Sequence, residues 1–288
     1  MPTAIASLLG LLELAEPAPD RFIGLSPAHG WRRVFGGQVV AQALVAAQRT
    51  VAGRPAHSLH GYFMRPGDPA LEIAYKVERI RDGSSFSTRR VVALQESRAI
   101  FSMSASFHVE EQGFEHHEEM PGGVPAPEDL PSERDRIAAV LAGDVPDHMR
   151  NFIARERPVE LRPVRPREIV DPPVGRPFQH NWLRAAGAMP ADPALHRAVL
   201  AYATDFSLLD TALIPHGMSI FDRRLMAASL DHAVWFHRPF QADEWLLYAQ
   251  HSTNASGARG FARGSVFARD GRLVASVAQE GLIRRRTR

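Results

Sequence analysis

The chain has 288 residues, 45% of them hydrophobic and 23% charged, the balance of a water-soluble globular protein with room for two domains or a fused pair. It contains no cysteine, which excludes disulfides, thiolate metal sites and a cysteine nucleophile. The formal net charge is only +2, against the basic stripe of a nucleic-acid binder, and the Arg284–Arg288 tail reads as a solvated terminus.

Residues 4–15 carry leucines at amphipathic spacing and end at Pro17 and Pro19, which predicts a first helix. Nothing here has the pattern of a signal peptide or a membrane span. A short strand is expected over 21–25, then Val34-Phe-Gly-Gly-Gln38 leads into a helix over 39–51 that is apolar on nearly every side. Such a helix must be wrapped on several faces. The paired glycines allow close backbone approach and leave helix-start N–H groups free to meet negative charge, and they would equally let helix and sheet touch. Four strands follow, over 56–65, 70–80, 84–95 and 99–109, with turn signals between them.

From 110 to 166 the periodicity fails, apart from a helical patch at 134–141, and the segment reads as a connector over the surface. His116-His-Glu-Glu119 lies within it, but adjacent side chains in an acidic segment do not converge on an ion as helix-spaced ligands do. Strands are expected near 159–164 and 179–187. A helix over 195–203 opens at Asp192-Pro193, and after Thr204-Asp205 comes an apolar run, 206–214. The meander then recurs as 228–237, 244–252, 258–268 and 272–283.

This recurrence is a sequence repeat. Arg65-Pro66 and Arg238-Pro239 lie 238 − 65 = 173 residues apart, and the same offset pairs Phe63 with Phe236, Tyr75 with Tyr248 and Arg90 with Arg263. A constant offset across five identities points to a duplicated unit. The expected architecture is α+β: two copies of a long helix wrapped by an antiparallel sheet, spanning 1–109 and 167–288, with 110–166 between them.

A helix wrapped in this way and present twice describes a double hot-dog fold, and the chain resembles the type II acyl-CoA thioesterases of the TesB kind. The resemblance rests on Val34-Phe-Gly-Gly-Gln38, His57-Ser-Leu-His60 through Asp68, Ala201-Tyr-Ala-Thr-Asp205, Leu230-Asp-His232 through Pro239, and Gly271–Ser276 through Gln279-Glu-Gly281. It implies hydrolysis of fatty acyl-CoA to free acid and CoA, with an aspartate, a serine or threonine, and a glutamine as the catalytic set. The matching positions are Asp205, Ser229 and Gln279; the family often carries threonine at the second. Asp205 would act as base while Ser229 and Gln279 orient a water. No Gly-x-Ser-x-Gly elbow suggests a covalent acyl-enzyme.

Read by itself, Asp205 is an N-cap for the apolar run after it, and the positive end of that helix would keep it ionised. Ser229 by itself is an ordinary strand residue, Gln279 is an amide in an apolar run, and Asp231 and His232 read as structural. Gly37 and Gln38 are expected to meet substrate. Arg259 and Arg263, with Arg32 and Arg33, are candidates for the CoA phosphates by type and location. No metal or cofactor is expected. A cytoplasmic homo-oligomer, dimer or tetramer, is expected. The alternatives are an acyl-CoA-binding protein without catalysis or, more remotely, a hydratase or dehydratase, whose Gly-Asp-x-Asn-Pro-x-His segment does not follow Gly67-Asp68. Under the 173-residue offset Ser229 faces Ala56 and Gln279 faces Ser106. Asp205 falls opposite Arg32, or opposite Gly37 if about five residues of gap are allowed. The first copy would then lack all three groups, leaving one site per chain.

Overall fold

The structure is a computed structural model that describes residues 3–27, 33–143, 145, 149–150 and 153–286. In chain order the first half runs α1 (Ala4–Leu12), β1 (Ala15–Ala18), β2 (Arg21–Gly24), α2 (Gly36–Gln48), β3 (Ala56–Phe63), β4 (Ile73–Asp82), β5 (Phe86–Gln95) and β6 (Arg98–His108). The segment that follows holds α3 (Glu133–Ala142) and β7 (Val159–Pro163). The second half continues with β8 (Phe178–Ala185), α4 (Pro193–Thr204), α5 (Asp210–Leu213), β9 (Leu225–Ser229), β10 (Asp231–Phe236), β11 (Leu246–Ser256), β12 (Arg259–Ala268) and β13 (Leu273–Arg285).

Among the described residues the strands form one 13-stranded sheet, in the order β1-β2-β4-β5-β6-β3-β10-β13-β12-β11-β8-β7, with β9 also on β13. The apolar face of this sheet curls around α2 and α4, whose side chains merge into one core with Phe22, Tyr75, Phe101, Phe107 and Tyr248. This is the double hot-dog arrangement. α2 buries Val39, Val40, Ala43 and Leu44 together with Gln38 and Gln42, as an all-round apolar helix must. The two helices run antiparallel side by side. At one end Gln48 Nε2 donates to the Ala194 carbonyl at 3.3 Å; at the other, a Cβ on Gly37 would lie 2.4 Å from the Tyr202 carbonyl oxygen. Only glycine permits that approach.

The halves join through β3 and β10, which pair antiparallel with Asp231 opposite Tyr62, Ala233 opposite His60 and Trp235 opposite Ser58. His60 and Ala233 are themselves equated by the 173-residue offset, so a pseudo-twofold axis passes through this pair. The offset holds as far as β12. In β13 it becomes 174, because Met103 pairs with Gly61 whereas Val277 pairs with Val234. One extra residue in the β12–β13 turn accounts for the change.

Three expectations need correction. The strand expected over 228–237 is broken at Leu230, and both pieces, β9 and β10, lie on β13. The run after Asp205 forms only α5 and a short 3-10 turn, Ile214–His216. Asp205 does not cap it: it is the C-cap of α4, with φ −78° and ψ −10°. β1 was not foreseen, since its Ala-Glu-Pro-Ala sequence carries no strand pattern.

Residues 110–166 lie partly along the outer side of the second half's sheet, where Met120, Val124, Leu130 and Val164 pack on Trp182, Trp245 and Phe267. Trp182 Nε1 donates to the Pro125 carbonyl at 2.9 Å. Glu118, in the His116–Glu119 run, accepts from the Ser265 hydroxyl. Among the described residues no helix is long and apolar enough to cross a membrane.

Candidate active site

The residues expected to act together meet where the C-terminal end of α4 faces the N-terminal end of α2. Asp205 extends from α4 toward the neighbouring helix, and its Oδ2 accepts from the Gly37 N–H at 2.8 Å. Asp205 thus does cap a helix, but the helix is α2, from the other half, whose own N-cap Phe35 offers no side-chain acceptor. The positive helix end beside the carboxylate is therefore that of α2. Gly36 is required here as well: a Cβ on it would stand 2.7 Å from Asp205 Oδ2 and 3.0 Å from the Phe63 ring.

The other carboxylate oxygen gathers the second half's polar groups. Asp205 Oδ1 accepts from Ser229 Oγ at 3.1 Å and from Gln279 Nε2 at 2.5 Å. Ser229 is the last residue of β9 and pairs with Gly281 on β13, two residues beyond Gln279. That register, together with the break at Leu230, brings hydroxyl and amide to one point. Gln279 is only 1% exposed, on the core face of β13. Burial pushes the Asp205 carboxyl up to about 6, against the opposing pull of the Gln279, Ser229 and Gly37 donors. The helix end expected to keep it ionised is outweighed by desolvation, so its pKa lies above rather than below the ordinary carboxylate value. A group poised near 6 is suited to accept a proton near neutral pH.

A cavity of about 330 Å³ opens beside this cluster, lined by Gly36 and Ser229 and by the apolar side chains of Val34, Val39, Phe63, Met64, Ile100 and Leu230, with Arg33 and Arg65 also on its wall. A second cavity, about 250 Å³, lies past Phe206 and Ser207 and includes Arg136, Arg165, Arg167 and Asp210. Burial pushes Asp210 up to about 7, opposed by Arg167. Asp210 carried no distinguishing signal in the sequence, because its burial depends on the connector folding over it.

The other predicted site residues are dispersed. Gln38 is buried and donates to the Leu25 carbonyl and Ser26 Oγ at 3.0 and 3.1 Å, fastening the chain ahead of α2. Arg259 and Arg263 alternate with inward-facing Gly260, Ala262 and Gly264, so they occupy the sheet face opposite Gln279. There Arg259 bonds Glu280 at 3.0 Å and Arg263 lies 3.4 Å from His251 Nε2. Arg32 falls outside the described residues. His232, read as structural, reaches inward to Thr204 Oγ1 at 3.0 Å. Asp231 does bridge strands, to His60 Nε2 at 3.3 Å and the Glu280 N–H at 2.6 Å.

Residues 26–108 match the family described as acyl-CoA thioesterase N-terminal domain, and residues 149–282 the one described as acyl-CoA thioesterase. Acyl-CoA thioesterase 2 of Haemophilus influenzae is 41% identical over 99% of both chains. The chain belongs to the acyl-CoA thioesterase family. Human acyl-coenzyme A thioesterase 8 is likewise 41% identical, covering 97% of this chain and 88% of its own. The crystal structure of acyl-CoA thioesterase II TesB2 from Mycobacterium marinum shares 40% identity at a TM-score of 0.80, covering 97% of this chain and 99% of its own. A hot-dog protein from Alicyclobacillus acidocaldarius superposes at 0.77 with 18% identity, a likeness of fold alone.

Proposed function

We propose that this chain hydrolyses acyl-CoA thioesters at Asp205, with the acyl chain in the apolar cavity beside Gly36 and Ser229. One observation carries the reading: a partly buried carboxylate poised near 6 collects a hydroxyl and an amide on one oxygen, next to an apolar cavity. A water entering between Ser229 and Asp205 accepts from the serine or the amide and gives its proton to the carboxylate as its oxygen attacks the thioester carbon. The tetrahedral oxyanion is stabilised by N–H groups in the first turn of α2 other than that of Gly37, which is already given to Asp205. When the C–S bond breaks, the departing sulfur recovers the proton from Asp205, and the carboxylic acid and CoA leave. No step calls for a metal or another cofactor. Assignment of the units 1–109 and 167–288, a cytoplasmic location and self-association as a dimer or tetramer belong to the same proposal.

Thiol release from acyl-CoA, followed with a thiol-reactive dye, tests the reaction; a chain without cysteine adds no background. Release is expected, undiminished by chelator, with a preference among acyl lengths that reports the cavity. No release at any chain length would overturn the reading.

A further inference from the structure

Two buried acceptor atoms beside the site have no partner in the protein: His232 Nδ1 and Gln279 Oε1. Their protonation states follow from their neighbours. The Thr204 hydroxyl donates its one proton to the Ala201 carbonyl at 3.2 Å, so in its 3.0 Å contact with His232 Nε2 it accepts. The ring therefore carries its proton on Nε2, and Nδ1 presents a lone pair. Burial drives the imidazole pKa down to about 3, so the ring is neutral wherever the protein works. Gln279 gives its NH2 to Asp205, which turns Oε1 the other way. The β10–β13 ladder pairs Ala233 with Ala278 and Val234 with Val277; continued by one residue it sets His232 across from Gln279. Both side chains are buried on the same face, and such cross-strand neighbours stand about 5 Å apart at Cβ.

Two acceptors cannot satisfy each other, and a buried polar atom left unpaired is costly. We infer that a single ordered water donates to both His232 Nδ1 and Gln279 Oε1, making His232 a positioning residue for the site. Two donations suffice to hold a buried water. Through it His232 fixes the amide in the orientation that presents NH2 to Asp205. Through Thr204 it also secures the end of α4 from which Asp205 projects; Tyr248 reinforces that end with a 3.2 Å bond to the Thr204 carbonyl. The other ionisable groups nearby are His60, which bears on His232, and Tyr202 and Tyr248, which the Asp205 charge helps to keep protonated.

The inference rests on the hydrolytic reading of Asp205 for its kinetic test but not for its structural one. A high-resolution crystal structure of the full chain should show a water within hydrogen-bonding distance of both atoms, whether or not the protein turns over. No water there, or a protein donor on either atom, would overturn the inference. In the kinetic test, His232→Leu frees the amide to rotate, so Asp205 loses a donor that favours its charged form. The acid limb of kcat against pH should move to higher pH, and kcat should fall about tenfold at unchanged KM. His232→Asn, which keeps a polar atom near the position of Nδ1, should return the limb toward wild type. If His232→Leu does not fold, Thr204→Val takes its place, with a shift of the limb in the same direction. A folded variant with the wild-type limb and kcat would show His232 to be packing alone.

Discussion

Asp205 illustrates how one side chain is set by opposing forces, and the sign of its titration makes that testable. Burial raises it from 3.8 to about 6 despite three donors, so the native state holds this proton more tightly than the unfolded chain. Its contribution to stability therefore falls as pH rises from about 4 to about 6. Asp205→Asn removes that titration. Relative to wild type, the variant should gain up to about 3 kcal/mol across this interval, at 1.36 kcal/mol per pH unit, measured as urea midpoints at pH values of about 4 and 7. Turnover has the complementary dependence: kcat should decline below about pH 6 as the base is protonated. Gln279→Ala and Ser229→Ala should each lower kcat more than they raise KM. Because both groups bond one carboxylate oxygen and, on the proposed mechanism, act on one water, the double variant should fall short of the product of the two. Ser229→Thr keeps the hydroxyl and should retain substantial activity; multiplicative losses would separate the two groups. The trio was legible only through the family resemblance, since a cap, a strand serine and a buried amide are each ordinary in isolation. The positioning role proposed for His232 was not legible, because it depends on Thr204 lying inside the curl of the sheet.

Among the elements, α2 is the one whose sequence spoke most directly. Its all-apolar surface announced a wrapped helix, and Gly36-Gly37 announced a close approach at its start. What that start would meet was open between sheet and partial charge; the structure places it against α4 and the Asp205 carboxylate. Gly37→Ala tests this contact, because the new Cβ would lie 2.4 Å from the Tyr202 carbonyl, on backbone that cannot rotate away. A loss of about 1–3 kcal/mol in stability is expected, as for overpacking, accompanied by reduced kcat as the Gly37–Asp205 bond is strained. Unchanged denaturation and turnover would mean that the two helix ends stand farther apart. The broken β9–β10 strand was not legible in the alternating pattern of 229–240. Both pieces keep their partners on β13, and only the step in register at Leu230 reveals the break.

At the scale of the whole molecule, the repeat read from five identities is realised as a pseudo-twofold axis through His60 and Ala233, and the axis shows what duplication left behind. The ladders place Ala56 at the position of Ser229, since each pairs one residue short of the equivalent place on β6 and β13. They place Ala105, rather than Ser106, at the position of Gln279, because the longer β12–β13 turn shifts β13 by one residue. Arg49 closes α2 as Asp205 closes α4, replacing both sequence-based counterparts, Arg32 and Gly37. That correction needed the helix ends in space, because the segments between helix and meander differ in length and no constant offset spans them. In the first half a cation and two alanines thus stand where Asp205, Ser229 and Gln279 stand in the second. The first half instead lends the Gly37 N–H and most of the apolar cavity to its neighbour's site. On the proposed mechanism each chain therefore has one working site, with all catalysis passing through Asp205. The direct measurement is the turnover of Asp205→Asn on acyl-CoA at neutral pH, with the fold verified by circular dichroism. A fall on the order of 10²–10⁴ in kcat is expected from loss of the base, whereas a surviving rate near half that of wild type would reveal a second site in the first half and contradict the account.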